Sequence, residues 1–219
     1  MSRYAKEPDF GPWALRPVAS IMADVLARAW SARGAARTGP LVVAVDGRSA
    51  GGKTTVADRL AVAVAGAVVV HTDDVAWHQG FFDWDELLVD GILGPVSRGE
   101  ERGREGAIVV PAGAAVLVEG VGSAREALTP WLDAAVWVQS DADEAYRRGI
   151  ERDVAAGRNR AEALAFWDEW MAQEVPFLAA DRPWERADLV VCSTPSEPVD
   201  GLLVSRARAS RGGPAPRTS

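Results

Sequence analysis

A glycine-rich segment directly after an apolar run is the feature that most limits what this chain can fold into. The run covers residues 41–45, and the segment contains Gly47, four further residues, and then Gly52, Lys53 and Thr54. Glycines at this spacing let backbone N–H groups curl around a polyphosphate, the lysine reaches its outer phosphates, and the threonine hydroxyl binds Mg²⁺ where a helix begins. The segment predicts a strand, a phosphate-binding loop and a helix, and a bound nucleoside triphosphate.

The residues expected to contact that nucleotide are Gly47, Ser49, Ala50, Gly51, Gly52, Lys53, Thr54 and Thr55. A chance match is the alternative, because the chain contains 21 glycines. The flanking residues argue against it, since residues 55–65 have helical composition. Of the 24 lysines and arginines, only Lys6 and Lys53 are lysines. The chain therefore places its one lysine beyond the first ten residues where a compact ammonium group would meet phosphate.

Length and composition predict one globular domain in a reducing compartment. The chain has 219 residues, of which 48% are hydrophobic and 25% charged, which suits one substantial core. A net charge of −7 argues against nucleic acid as a partner. The longest apolar stretch, at 61–70, is far short of the ~18 to 20 residues of a membrane span. The single cysteine, Cys192, cannot form an intrachain disulfide, which fits the cytoplasm.

The order of apolar and helical segments predicts an α/β fold. Short Val-rich runs lie at 41–45, 67–71, 114–118, 134–138 and 188–192, and helical or loop segments separate them. Such runs are typical of buried parallel strands joined by helical crossovers. We therefore expect a five-stranded parallel sheet flanked by helices in a single domain over residues 1–204. Its N-terminal helix would span 18–32 and its core 41–192, with a mobile loop at 94–106 and a disordered tail at 205–219.

Acidic residues follow the predicted strands at the edge where open α/β sheets bind ligands. Asp73 and Asp74 come after the second strand, and Glu119 comes directly after the third. Phosphoryl transfer needs a carboxylate that orients or deprotonates the attacking hydroxyl and oxygen ligands that hold Mg²⁺. Asp73 suits the first task, and Thr54, Asp73 and Glu119 form a candidate metal site. A helix N-cap or turn for the two aspartates, and a strand-end acid without a ligand for Glu119, remain open.

Several segments together resemble the uridine kinase and phosphoribulokinase branch of the P-loop kinases. The segments are VVAVDGRSAGGKTT, HTDDV, FFDWDELL, VLVEGV and WVQSDADEAYRRGIERD, within residues 41–192. The resemblance implies ATP and Mg²⁺ as cofactors, Asp73 as the catalytic base, and a lid over the phosphates that carries Arg148 and Arg152. On a helix these two arginines, four residues apart, would share one face and could clamp the phosphoryl group together with Lys53. A solvated face with ion pairs such as Glu144–Arg148 is the alternative.

The predicted acceptor site departs from uridine kinases, which carry a Tyr and His set between the second and third strands that is absent here. Its candidate residues are Asp74, Trp77, His78, Phe82, Trp84 and Glu119. Aromatic rings and carboxylates suit a hydroxyl-bearing ring, and residues 75–90 contain no Arg or Lys. We therefore expect a nucleoside or a nucleoside-like acceptor. Arg98, Arg102 and Arg104 follow in the predicted loop, so a sugar phosphate remains the alternative acceptor.

The sequence thus predicts an enzyme, an ATP-dependent kinase that phosphorylates an alcohol group of a small molecule. The alternatives are a phosphoribulokinase-like sugar-phosphate kinase and a nucleotide-binding regulator without transfer activity. A GTPase is disfavoured because the chain has no Asn-Lys-x-Asp sequence, the motif that would recognise guanine. The expected partners are a small-molecule hydroxyl acceptor and, as one option, a second copy of the chain in a homodimer. Neither a nucleic acid nor a membrane is expected.

Overall fold

The computed structural model describes residues 7–33, 39–76, 79–98 and 115–206, which form one seven-stranded sheet with helices on both faces. The strands are β1 (Ala14–Arg16), β2 (Leu41–Gly47), β3 (Val68–His71), β4 (Ala115–Glu119), β5 (Ala134–Gln139), β6 (Leu189–Cys192) and β7 (Leu202–Arg206). The α-helices are α1 (Val18–Ala32), α2 (Lys53–Val62), α3 (Thr72–Ala76), α4 (Asp85–Leu88), α5 (Gly94–Ser97), α6 (Ala142–Ala155) and α7 (Arg160–Asp181). A π-helical turn (Val89–Leu93) joins α4 to α5, and 3₁₀ turns lie at Glu126–Trp131 and Pro183–Glu185.

The sheet is mostly parallel and larger than predicted. The strand order is β1-β7-β6-β5-β2-β4-β3, with β2 to β6 parallel and β1 and β7 antiparallel at one edge. The predicted count of five strands is wrong because two short edge strands extend the sheet. The predicted start of the disordered tail is also wrong by two residues, since Ser205 and Arg206 lie in β7. Residues 207–219 lie outside the described part of the chain.

The core lies between the sheet and its helices. On one face, α1 contributes buried Ile21, Met22, Val25 and Ala29, and α2 contributes Val56 and Leu60. The predicted helix at 18–32 is confirmed as α1. The opposite face of β3 and β4 packs against Trp84 and against the segment from α4 to α5, including Leu88 and Leu93. Full burial of one such aliphatic side chain stabilises the fold by about 1.5–3 kcal/mol.

The start of the predicted mobile loop at 94–106 is helical instead. Residues 94–97 form α5, in which Gly94, Pro95 and Val96 are buried. Proline is favoured in a first helical turn because its missing N–H has no partner there in any case. Residues 99–106, which include Arg102 and Arg104, lie outside the described ranges, and Arg98 is exposed at the C-cap of α5.

The strand order determines where a ligand can bind. The chain leaves β2 for the outer strand β3, returns to β4 beside β2, and then crosses to β5 on the other side of β2. Connections that diverge on the two sides of one strand open a crevice at its carboxyl end. The loop after β2, the start of α3 and the end of β4 all lie at this edge of the sheet.

None of the helices in the described ranges combines the length and the apolar character that a membrane crossing needs.

Candidate active site

The loop between β2 and α2 is built as an anion-binding site. Gly52, at the N-cap of α2, has left-handed backbone angles (φ 85°), and no side chain caps the helix. The N–H groups of the first helical turn, which no side-chain cap covers, point toward the loop, where the helix dipole favours a negative charge. Lys53 begins the helix, is 8% exposed, and donates from Nζ to the Arg48 carbonyl at 2.9 Å. This bond holds the ammonium group across the loop.

The loop also packs tightly against β5. A Cβ atom at Gly47 would lie 2.6 Å from the Val138 carbonyl oxygen, so this position accepts no side chain. Ser193, directly after β6, donates from Oγ to the Gly51 carbonyl at 2.6 Å. The neighbouring strands thus fix the loop from two sides. The other residues predicted to bind the nucleotide, Ser49, Ala50, Thr54 and Thr55, lie within this loop or in the first turn of α2.

Asp46, directly before the loop, anchors it to the segment that follows β4. Its fully buried carboxylate accepts hydrogen bonds from Gly47 N at 2.7 Å, Gly122 N at 2.8 Å and Ala124 N at 2.9 Å. Burial raises the pKa of Asp46 to about 6, and the three N–H donors oppose that shift. Asp46 was not among the predicted site residues, although an acid directly before the first loop glycine was a visible signal.

Two of the three residues predicted to bind a metal are adjacent. Thr54 Oγ1 donates to Glu119 Oε1 at 3.1 Å, and His71 Nδ1 lies 2.5 Å from the same oxygen. The hydrogen bond to Glu119 raises the pKa of His71. Hydroxyl and carboxylate oxygens are the ligands Mg²⁺ prefers, and phosphates and water commonly complete its coordination. The donor set therefore fits Mg²⁺, although the described residues include no group of three or more His, Cys, Asp or Glu side chains that could hold a metal alone.

Asp73 lies at a cavity at the same edge of the sheet as the phosphate loop. The cavity has a volume of about 180 Å³, and Thr72, Asp73, Phe81, Phe82, Trp84 and Trp170 are among its walls. Asp73 is in the first turn of α3 and is exposed, as is Asp74. The structure thus brings together three predicted residues, Asp73, Phe82 and Trp84, in what we call the acceptor cavity. Trp77 and His78 lie outside the described residues.

Stacked rings and a buried guanidinium hold the aromatic walls. Phe82 has a left-handed φ of 63° and stacks on Phe177 of α7, with centroids 4.2 Å apart and planes 6° apart. Arg125 donates from Nη1 to the Phe82 carbonyl at 2.6 Å, and its guanidinium lies 4.1 Å from the Trp84 ring centroid. Burial lowers the pKa of Arg125, whereas nearby Asp85 raises it. These contacts stabilise a strained Phe82 backbone, which ordinarily costs about 1–3 kcal/mol.

A second carboxylate touches the phosphate loop from α7. Glu174 is 2% exposed and accepts hydrogen bonds from Ser49 N at 3.2 Å and from the Trp170 indole at 2.6 Å. In the same region, the Glu7 carboxylate pairs with Arg48 of the loop. Glu174, Arg125, Glu7 and Trp170 were not among the predicted site residues. No local pattern marked these residues, because each acts through a partner distant in sequence.

The two arginines predicted to form a lid pair with acids of their own helix. Arg148 contacts Glu144 at 2.8 Å, and Arg152 contacts Asp153 at 3.1 Å. Their side chains are 40% and 61% exposed, respectively. The Glu144–Arg148 pair is the alternative that the sequence left open. A lid that uses these arginines stays a prediction.

Comparisons with known proteins reveal the fold. No protein-family model and no curated protein matches the chain. A structure described as a candidate fructose transport system kinase from Silicibacter sp. TM1040 is 18% identical, with a TM-score of 0.57 over 76% of this chain and 95% of that one. D-glycerate 3-kinase from Cryptococcus neoformans is 13% identical, with a TM-score of 0.56 over 80% of this chain and 93% of that one. The chain therefore has the fold of the P-loop kinases, which confirms the resemblance found in its sequence at the level of fold.

Proposed function

We propose that this chain is a kinase that transfers the γ-phosphoryl group of ATP to a hydroxyl of a nucleoside or a nucleoside-like acceptor. The observation that supports this most is the position of Asp73. It lines the acceptor cavity at the same sheet edge as the Lys53 loop and the Thr54–Glu119 pair. A phosphate donor, a carboxylate and an acceptor could therefore meet at one place.

The donor side uses the loop between β2 and α2. The backbone N–H groups at the start of α2 and the Lys53 ammonium group would hold the phosphates of ATP. Thr54 and Glu119 would hold Mg²⁺, which neutralises phosphate charge when bound. His71 already occupies one oxygen of Glu119 and keeps that carboxylate oriented toward Thr54.

On the acceptor side, Asp73 would accept the proton of the attacking hydroxyl or orient that hydroxyl toward the phosphorus. Its exposure leaves the carboxylate accessible to a ligand in the cavity. A base of this kind must lie within hydrogen-bond reach of the hydroxyl, and its contribution is typically about 10²–10⁴-fold in rate. Arg148 and Arg152 would exchange their carboxylate partners for phosphate oxygens when the nucleotide binds.

The walls of the acceptor cavity favour a neutral ring. Phe81, Phe82, Trp84 and Trp170 supply flat apolar surface, and Asp73 supplies the negative charge. No Lys or Arg is among the described lining residues. The nearby Arg125 already bonds the Phe82 carbonyl and lies against the Trp84 ring. A phosphorylated acceptor would place its charge near Asp73 without a cation in this lining, which is unfavourable.

An acceptor panel tests the proposal. Nucleosides, sugars, sugar phosphates, D-glycerate and nucleoside monophosphates are compared at one MgATP concentration, with ADP release and the mass of the phosphorylated product as readouts. We expect the highest kcat/KM for a nucleoside, and no product with Lys53→Ala. A phosphorylated acceptor as the best substrate would support the sugar-phosphate alternative. Nucleotide binding without any product would support a regulator.

A further inference from the structure

Glu174 joins two parts of the site that are otherwise separate. Its side chain is buried on α7, and both carboxylate oxygens lie 3.2 Å from Ser49 N in the phosphate loop. One of these oxygens, Oε2, also accepts the indole N–H of Trp170 at 2.6 Å. The carboxylate therefore has one donor from the loop and one from a side chain of its own helix.

Trp170 presents its other surface to the acceptor cavity. Its ring is among the cavity walls and meets Phe81 edge-on, with centroids 5.4 Å apart. Its centroid is also 5.8 Å from that of Phe82. A ligand that enters the cavity would press on the apolar surface of Trp170, while the polar edge of the same ring stays bonded to Glu174.

We infer that Glu174 is a positioning residue that couples the acceptor cavity to the phosphate loop through the Trp170 indole and the Ser49 amide. The inference rests on the proposed nucleotide site. A buried carboxylate must keep its donors, since loss of one leaves it poorly solvated and free to turn. Trp170 thereby fixes the direction of the Glu174 carboxylate, and the carboxylate fixes the Ser49 backbone. A change at the cavity wall therefore alters the loop that binds the phosphates.

The expected direction of the change in nucleotide affinity follows from the geometry of the phosphate loop. Ser49 precedes Ala50, whose φ of 54° is unusual for a residue with a side chain, and Gly52, whose φ is 85°. A loop already held in this shape loses less freedom when it binds phosphate than a loop that must be ordered on binding. Removing either contact of Glu174 should therefore weaken nucleotide binding. If the carboxylate instead competed with phosphate for the Ser49 amide, its removal would tighten binding.

The test is titration calorimetry with MgADP, which needs no acceptor. Trp170→Phe keeps a ring in the wall but removes the indole donor. Glu174→Gln retains the size of the side chain but presents an amide group in place of one acceptor oxygen. We expect about fivefold weaker MgADP binding for each variant, within the range for a typical intramolecular hydrogen bond. The MgADP Kd of the double variant should be within about twofold of the Kd of the single variant that binds more weakly, because the two substitutions act through one path.

Trp184→Phe is the matched control. Trp184 lies in the same apolar cluster as Trp170 and is 3% exposed, but it contacts Trp137 rather than Glu174. We expect this variant to lower the unfolding temperature without changing the MgADP Kd by more than about twofold. A purely structural role for Trp170 would make the two tryptophan variants alike in both measurements.

Three results would overturn the coupling: an unchanged Kd for Trp170→Phe, additive effects in the double variant, or tighter binding in either single variant. If Glu174→Gln does not fold, the comparison of Trp170→Phe with Trp184→Phe decides alone. A wild-type protein that binds no MgADP would contradict the proposed function as well. Normal wild-type binding with no effect of Trp170→Phe would contradict only the coupling.

Discussion

Gly149 is the position where a single added methyl group should most disturb the helices that carry the predicted lid. It lies in α6 between the two candidate lid arginines and faces Trp167 of α7. A Cβ atom at Gly149 would lie 1.9 Å from Cζ3 of Trp167 and 2.6 Å from each of two further ring carbons. Carbon atoms normally approach to about 3.5–4.0 Å, so the two helices must separate by roughly 1.5 Å or the ring must move.

The expected cost follows from two opposing effects. Overpacking of a core costs about 1–3 kcal/mol, and the upper value is appropriate because the added atom meets a ring that is only 4% exposed. Alanine in place of glycine within a helix recovers about 1 kcal/mol. Gly149→Ala should therefore lower the free energy of unfolding by about 2 kcal/mol. For a domain of this size that corresponds to an unfolding temperature lower by about 4–8 °C.

The assay is thermal and denaturant unfolding of Gly149→Ala beside Gly91→Ala. A Cβ atom at Gly91 would meet nothing within 4 Å, so the control gains helix propensity without a clash. Kinase turnover is measured in parallel. Displacement of α6 should lower kcat more than it changes the MgADP Kd if Arg148 and Arg152 act on the transferring group.

Measuring Gly149→Ala in a second variant background identifies the cause of its loss of stability. Trp167→Leu removes the ring that the new methyl group would meet, so Gly149→Ala should cost less than about 0.5 kcal/mol in that background. A steric clash between position 149 and Trp167 is refuted if Gly149→Ala unfolds at the wild-type temperature. It is also refuted if the cost of the substitution is the same with Leu at position 167.

Three further predictions concern the site itself. Asp73→Asn should lower kcat at least about 100-fold and change the MgATP KM less than about threefold, whereas Asp74→Asn should be near wild type in steady-state kinetics. Asp46 has a folded-state pKa of about 6 against an ordinary value of 3.8, so its contribution to stability is present below about pH 4 and is lost as the pH rises to 6. Denaturant unfolding from pH 4 to 7 should show wild type losing about 3 kcal/mol relative to Asp46→Asn, and parallel curves would contradict this. Arg125→Met should lower the free energy of unfolding by about 2–4 kcal/mol, because Asp85 and the Phe82 carbonyl lose their buried partner. A loss below about 0.5 kcal/mol would show that the guanidinium does not hold the cavity wall.

The central strands and the phosphate loop were predictable because their signals are local. The buried run of β2 and the spacing of the loop glycines are read within fifteen residues of sequence. The edge strands were not predicted because their signals are not local. β1 has three residues and β7 has polar residues at its end, and each becomes a strand only through its antiparallel partner.

The acceptor cavity was predictable only in part. Asp73 and the aromatic residues after it lie within one segment, so their composition indicated a binding wall. The residues that support the wall and the loop come from far along the chain. Glu174 is 125 residues from Ser49, and Gly122 is 76 residues from Asp46. Such pairs depend on tertiary packing, for which a single sequence carries no periodic signal.

The most direct test of the account is transfer of labelled phosphate from [γ-³²P]ATP. Wild type and Lys53→Ala are incubated with Mg²⁺ and the best nucleoside of the acceptor panel, and the labelled product is separated from phosphate and ATP. We expect label on the nucleoside with wild type, loss of at least about a thousandfold in rate with Lys53→Ala, and the same unfolding temperature within a few degrees. Lys53→Ala activity within tenfold of wild type, with normal unfolding, would contradict the central claim.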